Sequence, residues 1–523
     1  MAAAIKKLFS GKDTSSAPQE TSSFNVVPRV TLPKLENSPR ILIIGAGSRG
    51  RAYAWSIATA TNGTVVGVAE PDEYKRKRMV QEHNISDELV FTSWTELVGE
   101  HKELVMSRVD GVCVCTLDET HEEIVLAIRP LNLHILCEKP LSTTLESCVR
   151  IAGAVSDPEL PPVVLAIAHV LRYSPHNILM KKLVCEDKLL GEVVNVNHTE
   201  PVGWYHFAHS YVRGNWRKKE TSAPSLLTKC CHDIDLLLWL LCSPSAAATP
   251  HLPSTVSSSG SLVHFRRSRK PAKAGNATNC LSCPAEPDCT FSAKKIYVEK
   301  NLNQMNMGWP VKIVVPDIEE AHSMDAAEAM LTQKLAEDYG REGTMVNGEQ
   351  KSYYGRCVYE TDNNVVDNQV VTISWDDDTS ASTSGAPAEG RGAKTATLNM
   401  VAFSEKICER FTRIYGTKGE LEADSNQIRI YDFETGVKKT WVPSTDLLSG
   451  HGGGDSGLAK AFVGAIDKVK NEAWAVDRAQ REVVGVTVEE VLRSHAAVFW
   501  AEDARVNRQM LEWGEWWAQN VEV

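Results

Sequence analysis

From residue 40 onward, short apolar runs alternate with segments whose apolar positions recur at helical spacing. The runs are RILIIGAG, TVVGVAE, GVCVCTL (111–117), HILCEKP (134–140) and VVLAIAHV (163–170). The segments between them include RGRAYAWSIAT, PDEYKRKRMVQEHN and HEEIVLAIRPL (121–131). Buried parallel strands are almost continuously apolar, and a helix must connect each to the next. The pattern therefore predicts a doubly wound parallel sheet over residues 39–165.

After about residue 170 the spacing changes to the alternation of half-buried antiparallel strands. These segments are 192–202, 364–375, 394–403 and 410–433. They predict a second domain over 166–523, in which helices cover one face of a sheet, with a cysteine-rich insertion at 261–357. Two Ser/Pro/Gly-rich segments, 243–260 and 376–392, predict loops. Residues 1–38 predict a flexible tail.

Composition and charge narrow the class of protein. Hydrophobic residues make up 43% and charged residues 24% of the 523 residues, as in globular proteins. The net charge of −11 argues against a nucleic-acid or membrane-surface partner. The N-terminus lacks the apolar core of a signal peptide, and the longest apolar stretches are too short for a bilayer. We therefore expect a cytoplasmic protein whose 13 cysteines are thiols or metal ligands.

The first predicted strand runs into GAGSRG, a G-x-G-x-x-G turn that opens a helix. Gly45 permits the tight turn, Gly47 the approach of a pyrophosphate, and Gly50 close packing of helix on strand. With Ser48 and Arg49, these residues predict a dinucleotide site. Glu70 ends the second strand, where its carboxylate favours NAD over NADP, although the basic run 75–78 weakens that preference.

Lys139 follows the strand HILC at the sheet edge where ligands bind in open α/β folds. An ammonium group there can polarise a substrate oxygen or share its proton while hydride leaves the carbon. Pro140 predicts a rigid turn that aims Lys139. The alternative is a solvated surface lysine.

The chain resembles the Gfo/Idh/MocA oxidoreductase family. The resembling residues are GAGSRG, TLDETH (116–121), LCEKP, LRYSP and KCCHDIDLLLWL (229–240). The resemblance implies a Rossmann domain that carries NAD(P), and a second domain whose large, open, mainly antiparallel sheet binds substrate and builds a homo-oligomer. It implies a sugar, inositol or polyol substrate. It also implies site residues: Thr116, His121, Glu138 and Lys139 for the cofactor, Lys139 for catalysis, and Arg172 and Tyr173 for substrate.

The family's catalytic helix is incomplete in this chain. The family commonly has an Asp four residues before its His, whereas here Thr228 precedes His232. We predict His232 as an acid/base group, with Lys229 replacing the missing polar side chain. The alternative is that His232 and Asp233 cap a helix.

The segment GWYHFAHSYVRGNWR (203–217) is rich in groups that suit carbohydrate faces and hydroxyls. Its candidate substrate residues are His206, His209, Tyr211, Arg213 and Trp216. The alternative is an aromatic sheet edge that packs on the core. Further on, HGGGDSG brings His451 and Asp455 either to the cleft or to a helix cap.

CLSCPAEPDC places Cys280, Cys283 and Cys289 within ten residues. A structural Zn²⁺ needs four nitrogen or sulfur ligands. Cys357 is the preferred fourth ligand, because a similar segment accompanies the cluster in the resembling subgroup, with His264 and Cys231 as weaker alternatives. An iron–sulfur cluster, free thiols or a reversible disulfide are the other possibilities.

These features predict an NAD(P)-dependent oxidoreductase that transfers hydride between nicotinamide and a sugar, inositol or polyol. One alternative is a glycosidase- or lyase-type reaction with transient oxidation by NAD. Another is a non-catalytic, ligand-sensing regulator on the same fold.

Overall fold

The computed structural model describes most of the chain. It covers residues 36–242, 249–338, 345–346, 349–350, 352–380, 386–443 and 450–522. The predicted tail lies outside the described residues, apart from residues 36–38.

The first part of the chain forms a parallel sheet with helices packed against it. Its strands are β1 Arg40–Ile44, β2 Thr64–Ala69, β3 Val90–Phe91, β4 Gly111–Val114, β5 His134–Cys137 and β6 Leu165–Ile167. Its helices are α1 Ser48–Ala60, α2 Glu73–His83, α3 Thr95–Val98, α4 Lys102–Arg108, α5 His121–Ile128 and α6 Leu145–Val155. The strand order β3-β2-β1-β4-β5-β6, with every pair parallel, confirms the doubly wound sheet.

The second part is built on a larger sheet. Its strands are β7 Val193–Pro201, β8 Thr255–Ser261, β11 Asn368–Trp375, β12 Lys394–Val401, β13 Phe411–Gly416, β14 Gly419–Ala423, β15 Ile428–Asp432, β16 Lys438–Trp441 and β17 Leu511–Glu512; β9 Met345–Val346 and β10 Glu349–Gln350 pair separately. The order is β16-β15-β14-β13-β7-β12-β11-β8-β17. Only β7 and β12 pair in parallel within this described sheet, so the predicted open, mainly antiparallel sheet is confirmed.

Helices cover this sheet and join it to the first. They are α7 Pro175–Lys181, α8 Trp204–Phe207, α9 Ser225–Leu241, α10 Val311–Val314, α11 Met324–Leu335, α12 Gly454–Glu472, α13 Val476–Ala479, α14 Val488–Asn507 and α15 Trp513–Asn520. Helix α9 is buried along almost its whole length and contacts β7, β12 and α14. Despite this apolar helix, none of the helices described is long and apolar enough to cross a membrane.

Strand β8 corrects one prediction. It begins inside the Ser/Pro/Gly-rich segment 243–260, which the composition predicts as a loop, and it pairs along its whole length with β11. Val256 is fully buried, whereas most of the serines lie at least partly exposed. The pairing with β11 supplies hydrogen bonds that a sequence of small polar residues does not reveal.

Helix α12 packs on α1 of the first domain. Phe462 and Ile466 belong to the core of the first sheet, as does Val491 at the start of α14. The domain predicted as 166–523 thus contributes to both cores. This packing carries the glycine-rich loop before α12 to the junction of the two domains.

Candidate functional site

The three glycines of the turn between β1 and α1 have different surroundings. Gly45 has a φ of +89°, and a Cβ there would lie 2.6 Å from the carbonyl oxygen of Cys115. A Cβ on Gly50 would lie only 1.9 Å from the carbonyl oxygen of Gly45. A Cβ on Gly47 would meet nothing within 4 Å. The turn therefore fits a dinucleotide, with its open side at Gly47, where a pyrophosphate approaches a helix N-terminus.

Glu70 lies directly after β2 and is nearly buried. Its carboxylate accepts hydrogen bonds from the backbone N–H of Ala46 at 2.6 Å and of Asp72 at 2.9 Å. The side chain thus ties the glycine-rich turn to the start of α2. Carboxylate oxygens have further lone pairs, so ribose hydroxyls can still donate to this group.

Arg49 is part of a buried ionic network. Its guanidinium contacts Glu138 at 2.6 Å, Asp455 at 2.8 Å and the hydroxyl of Tyr53 at 2.7 Å. Burial by itself favours the neutral acid, but Arg49 and then Lys139 hold the pKa of Glu138 below its usual range. Asp455, in the first turn of α12, therefore joins that helix to the glycine-rich turn, which goes beyond helix capping.

Lys139 follows β5 and reaches across to α9. Its ammonium group donates to the backbone carbonyl of Thr228 at 2.6 Å. It also lies 5.2 Å from the ring centre of Trp216, whose indole N–H donates to Asp118 at 2.8 Å. At the position where the family has an Asp, this chain thus offers Lys139 a backbone oxygen. The Lys139–Pro140 peptide bond is cis.

His232 lies one turn further along α9 and is buried. Burial, followed by the charges of Lys139 and His169, holds the pKa of His232 well below its usual value. Its Nδ1 has no hydrogen-bond partner among the described residues. The site therefore presents a neutral imidazole beside an ammonium group. Because His232 and Asp233 lie in the middle of α9, the helix-cap alternative is wrong.

Lys229 belongs to a buried ionic network beside this pair. Its ammonium group lies 3.2 Å from Glu200 and 2.8 Å from the sulfur of Cys408. Arg410 contacts Glu200 at 3.1 Å and Asp233 at 2.7 Å. Although burial opposes the charge, Cys408 and Glu200 raise the pKa of Lys229 well above its usual value. Lys229 is thus a paired cation.

A cavity of about 320 Å³, lined by both polar and apolar side chains, adjoins this network. Helices α7 and α9 and strands β7, β13 and β14 line it together with the loops beside them, and its polar side chains include Ser174, Asn177, His198, Arg410, Asp424 and His451. The ring centre of His451 lies 6.4 Å from that of His232. The volume and the convergent donors and acceptors suit a small polyhydroxylated molecule.

Arg172 and Tyr173, two predicted substrate residues, serve buried contacts. Arg172 makes a bidentate pair with Asp235, at 2.7 and 2.8 Å, and the hydroxyl of Tyr173 donates to the carbonyl of Val484 at 3.0 Å. Asp235 also accepts from Ser494 at 2.6 Å. This arrangement joins α9 to α14 and to the segment before α7.

The segment 203–217 distributes its candidates over two places. Trp216 lies at Lys139, with Tyr211 stacked on it at 5.5 Å. His206 lies near Cys408, at 3.6 Å. His209 instead contacts the hydroxyl of Tyr297 at 2.8 Å, and burial, followed by the charge of Arg213, lowers its pKa to about 3. His209 and Arg213 therefore face the insertion.

Thr116 lies beside the glycine-rich turn, and His121 contacts the turn that follows Lys139. The Nδ1 atom of His121 lies 2.8 Å from the carbonyl oxygen of Pro140, and the hydroxyl of Thr120 donates to that of Thr116 at 2.7 Å. A Cβ on Gly45 would lie 3.3 Å from the Thr116 methyl, so Thr116 packs against the glycine-rich turn.

The four predicted metal ligands surround one void in the insertion. Cys280, Cys283, Cys289 and Cys357 all line a cavity of about 20 Å³. Backbone hydrogen bonds from Cys280 to Gly355 and from Cys357 to Thr278, both 2.8 Å, bring the two segments together. Within the described residues, three potential ligand atoms come within 4.8 Å of one another at Glu96, Glu100 and His101, but not at these cysteines. The four cysteines therefore line one void, but no three of their sulfur atoms lie within 4.8 Å of one another.

Arg213 lines the same void and is buried. It donates to the carbonyls of Arg356 and Phe291, both at 2.7 Å, and contacts the sulfur of Cys280 at 3.5 Å. Its Nη1 has no hydrogen-bond partner in the part of the chain that the structure describes. A buried guanidinium without a carboxylate partner favours an anionic neighbour.

Sequence reasoning missed several residues around His232. Glu200, Arg410 and His169 come from three separate elements, and no local motif marks them. Asp233 and Asp235 follow His232 in the segment HDID, so the sequence shows that they lie close to it. The sequence does not show their ionic partners, Arg410 and Arg172.

Residues 39–159 match the model of the oxidoreductase family with an NAD-binding Rossmann fold. This domain belongs to the Gfo/Idh/MocA oxidoreductase family. The resemblance drawn from the motifs is thereby confirmed for this domain.

Relatives of this family cover a limited part of the chain. Inositol 2-dehydrogenase 2 from Saccharopolyspora erythraea is 29% identical over 213 residues, 40% of this chain and 56% of the relative. The 1,5-anhydro-D-fructose reductase of Ensifer adhaerens is 29% identical over 208 residues, 39% and 57% of the two chains. The chain thus spans just over half the length of these relatives.

A solved structure extends the likeness of fold. Levoglucosan dehydrogenase in complex with NADH and levoglucosan superposes with a TM-score of 0.56 at 14% identity, covering 91% of this chain and 98% of that one. The likeness of fold thus spans both domains.

Proposed function

We propose that this protein is a nicotinamide-dependent oxidoreductase that transfers hydride between the cofactor and a CH–OH group of a sugar, inositol or related polyol. The observation that carries the proposal is the placement of Lys139 at the ligand-binding edge of the sheet, 2.6 Å from a carbonyl of the helix that bears His232. The relatives named for inositol and anhydrofructose chemistry support the substrate class.

Each side chain of the proposed centre has a separate task. The ammonium group of Lys139 polarises the reacting oxygen, and the neutral imidazole of His232 accepts or returns the hydroxyl proton. Trp216 and His206 contact the substrate, the buried Tyr211 supports Trp216 by stacking on it, and Lys229 keeps the ionic network in place. The dinucleotide, when bound, supplies the hydride chemistry. Glu70 favours NAD over NADP by accepting from the ribose hydroxyls.

The test is turnover on a panel of inositols, hexoses and anhydrosugars with NAD and NADP. We expect Lys139→Ala to lower kcat on the order of 1000-fold while NADH binding persists, because the proton-sharing group is lost. Lys182→Ala, which removes an exposed lysine paired with Asp187, is the matched control and should be unchanged.

Other outcomes identify the alternatives. Product formed from aryl glycosides without net NADH would indicate transient oxidation. No turnover across the panel, together with a stable protein partner, would indicate a regulator and contradict the proposed enzyme. The cytoplasmic location, the homo-oligomer and the absence of a nucleic-acid partner remain predictions from the sequence.

We also propose that Cys280, Cys283, Cys289 and Cys357 hold a structural Zn²⁺. All four line one void, and the buried Arg213 beside it matches the negative charge that four thiolates retain around Zn²⁺. Zinc coordination requires the sulfurs to draw together by side-chain rotation. A closed four-cysteine site leaves no position for substrate, so the metal stabilises the insertion.

Metal analysis of the purified full-length protein tests this site. We expect one zinc per chain, lost in Cys283→Ser and Cys357→Ser but kept in Cys185→Ser, a partly exposed thiol beside α9. Iron with visible absorbance would indicate an iron–sulfur cluster instead. A full count of titratable thiols without metal would contradict any metal site.

A further inference from the structure

A second cavity, of about 280 Å³, lies beside the glycine-rich turn. One wall is Ala46, Gly47 and Ser48, with Arg51 from α1, and a second is the start of α2. The third wall comes from the insertion, through the segment 309–316. That segment lies far outside residues 39–159, which match the family model.

Ionic contacts hold this segment against the nucleotide-binding domain. Glu319 pairs with Lys312 at 2.7 Å and with Arg78 of α2. Arg78 and Arg51 both contact Glu82, at 3.2 and 2.7 Å. The chain of contacts contains three cations and two carboxylates. One positive charge is therefore left over among the groups around the cavity.

Trp309 fixes the other end of the segment. Its ring lies edge-on to His206, with centres 4.7 Å apart, and to His209 at 5.4 Å. The indole is 37% exposed, and it lines the cavity. The aromatic segment that leads to Trp216 thus also positions a planar apolar surface beside the glycine-rich turn.

We propose that the insertion is part of the cofactor site: segment 309–316 covers the bound dinucleotide, Lys312 faces its phosphates and Trp309 packs on it. The pyrophosphate belongs at Gly47 and the N-terminus of α1, which form the opposite wall of the same cavity. The ammonium group of Lys312, on the other side of the cavity, adds charge-assisted hydrogen bonds to those that the backbone of the turn donates. Enclosure on a third side slows release. This inference rests on the proposed nicotinamide-dependent function.

Binding of NADH and NADPH to the full-length protein, followed by cofactor fluorescence, tests the inference without turnover. We expect Lys312→Ala to weaken binding on the order of 10-fold, a loss of about 1.4 kcal/mol, with Lys312→Arg close to wild type. Trp309→Ala should speed dissociation by a similar factor. Lys273→Ala is the control, because this exposed lysine of the insertion pairs only with Asp288 in the described residues and should change nothing.

A measurement on the unmodified protein guards against misfolded variants. Hydrogen exchange in segment 309–316 should slow when NADH binds. If both variants bind and release NADH as the wild type does, and NADH leaves the hydrogen exchange of segment 309–316 unchanged, then this segment does not cover the cofactor. The proposed function would still stand. A wild-type protein that binds neither nucleotide would overturn both, so the two failures are distinguishable.

Discussion

The glycine-rich turn and the segment 203–217 show how differently two motifs of one chain relate to their surroundings. In the turn, Gly45, Gly47 and Gly50 each have the surroundings that their spacing predicts. In the segment, neighbours in sequence serve different sites: Trp216 lies at Lys139, whereas Arg213 lies among the cysteines. Backbone geometry is a local property, but the partner of a long side chain depends on which elements pack against it.

Arg172→Ala tests whether this predicted substrate residue instead stabilises the fold through its pair with Asp235. We expect the free energy of unfolding to fall by about 4 kcal/mol, because Asp235 would lose its bidentate partner while remaining buried. Urea unfolding measures this loss. Arg481→Ala, which breaks an exposed pair with Asp477, is the control and should cost below about 1 kcal/mol. A stable variant with a raised KM would restore Arg172 as a substrate residue.

The pH dependence of stability tests His169, which sequence reasoning missed. Burial alone would lower its pKa, but Asp235 raises it from 6.5 to about 9. The stabilisation is therefore complete below pH 6.5 and is lost as the pH rises through about 9. We expect a fall of about 3 kcal/mol across this window. His169→Gln should flatten the profile, and an unchanged profile would contradict the assignment.

Gly50→Ala and Gly47→Ala test two different roles of glycine in the turn. Gly50 allows close packing of the backbone, whereas Gly47 leaves room for the cofactor. A Cβ on Gly50 meets backbone 1.9 Å away, so we expect a loss of about 2 kcal/mol in unfolding free energy. A Cβ on Gly47 meets no protein atom within 4 Å, so stability should hold while NADH binding weakens. Denaturation and NADH titration of both variants measure the two effects. Equal destabilisation would remove the distinction between the glycines.

Glu70→Gln gives the smallest expected effect. Removing the carboxylate charge should raise the affinity for NADPH relative to NADH on the order of 10-fold, because repulsion of a 2′-phosphate disappears. Competitive titration of the two cofactors measures the ratio. Glu73→Gln, an exposed neighbour on α2, serves as the control. If the ratio stays constant, Glu70 acts only through its bonds to the backbone of Ala46 and Asp72.

The two-sheet architecture, the glycine-rich turn and the position of Lys139 after β5 could all be predicted from the residues alone. Hydrophobic periodicity and glycine spacing report local backbone geometry, which is why these predictions hold. The sequence did not reveal β8, because Thr255–Ser261 has small polar residues and becomes a strand by pairing with β11.

The packing of distant elements sets which groups surround His232 and which line the cavity beside the glycine-rich turn. Glu200, Arg410 and Asp455 reach the site from separate elements, and Trp309 and Lys312 come from an insertion more than two hundred residues beyond the glycine-rich turn. A buried charge costs free energy unless it is paired, and its partner is the oppositely charged group that the packing brings into contact with it. Long-range packing of this kind leaves no periodic signal in the chain.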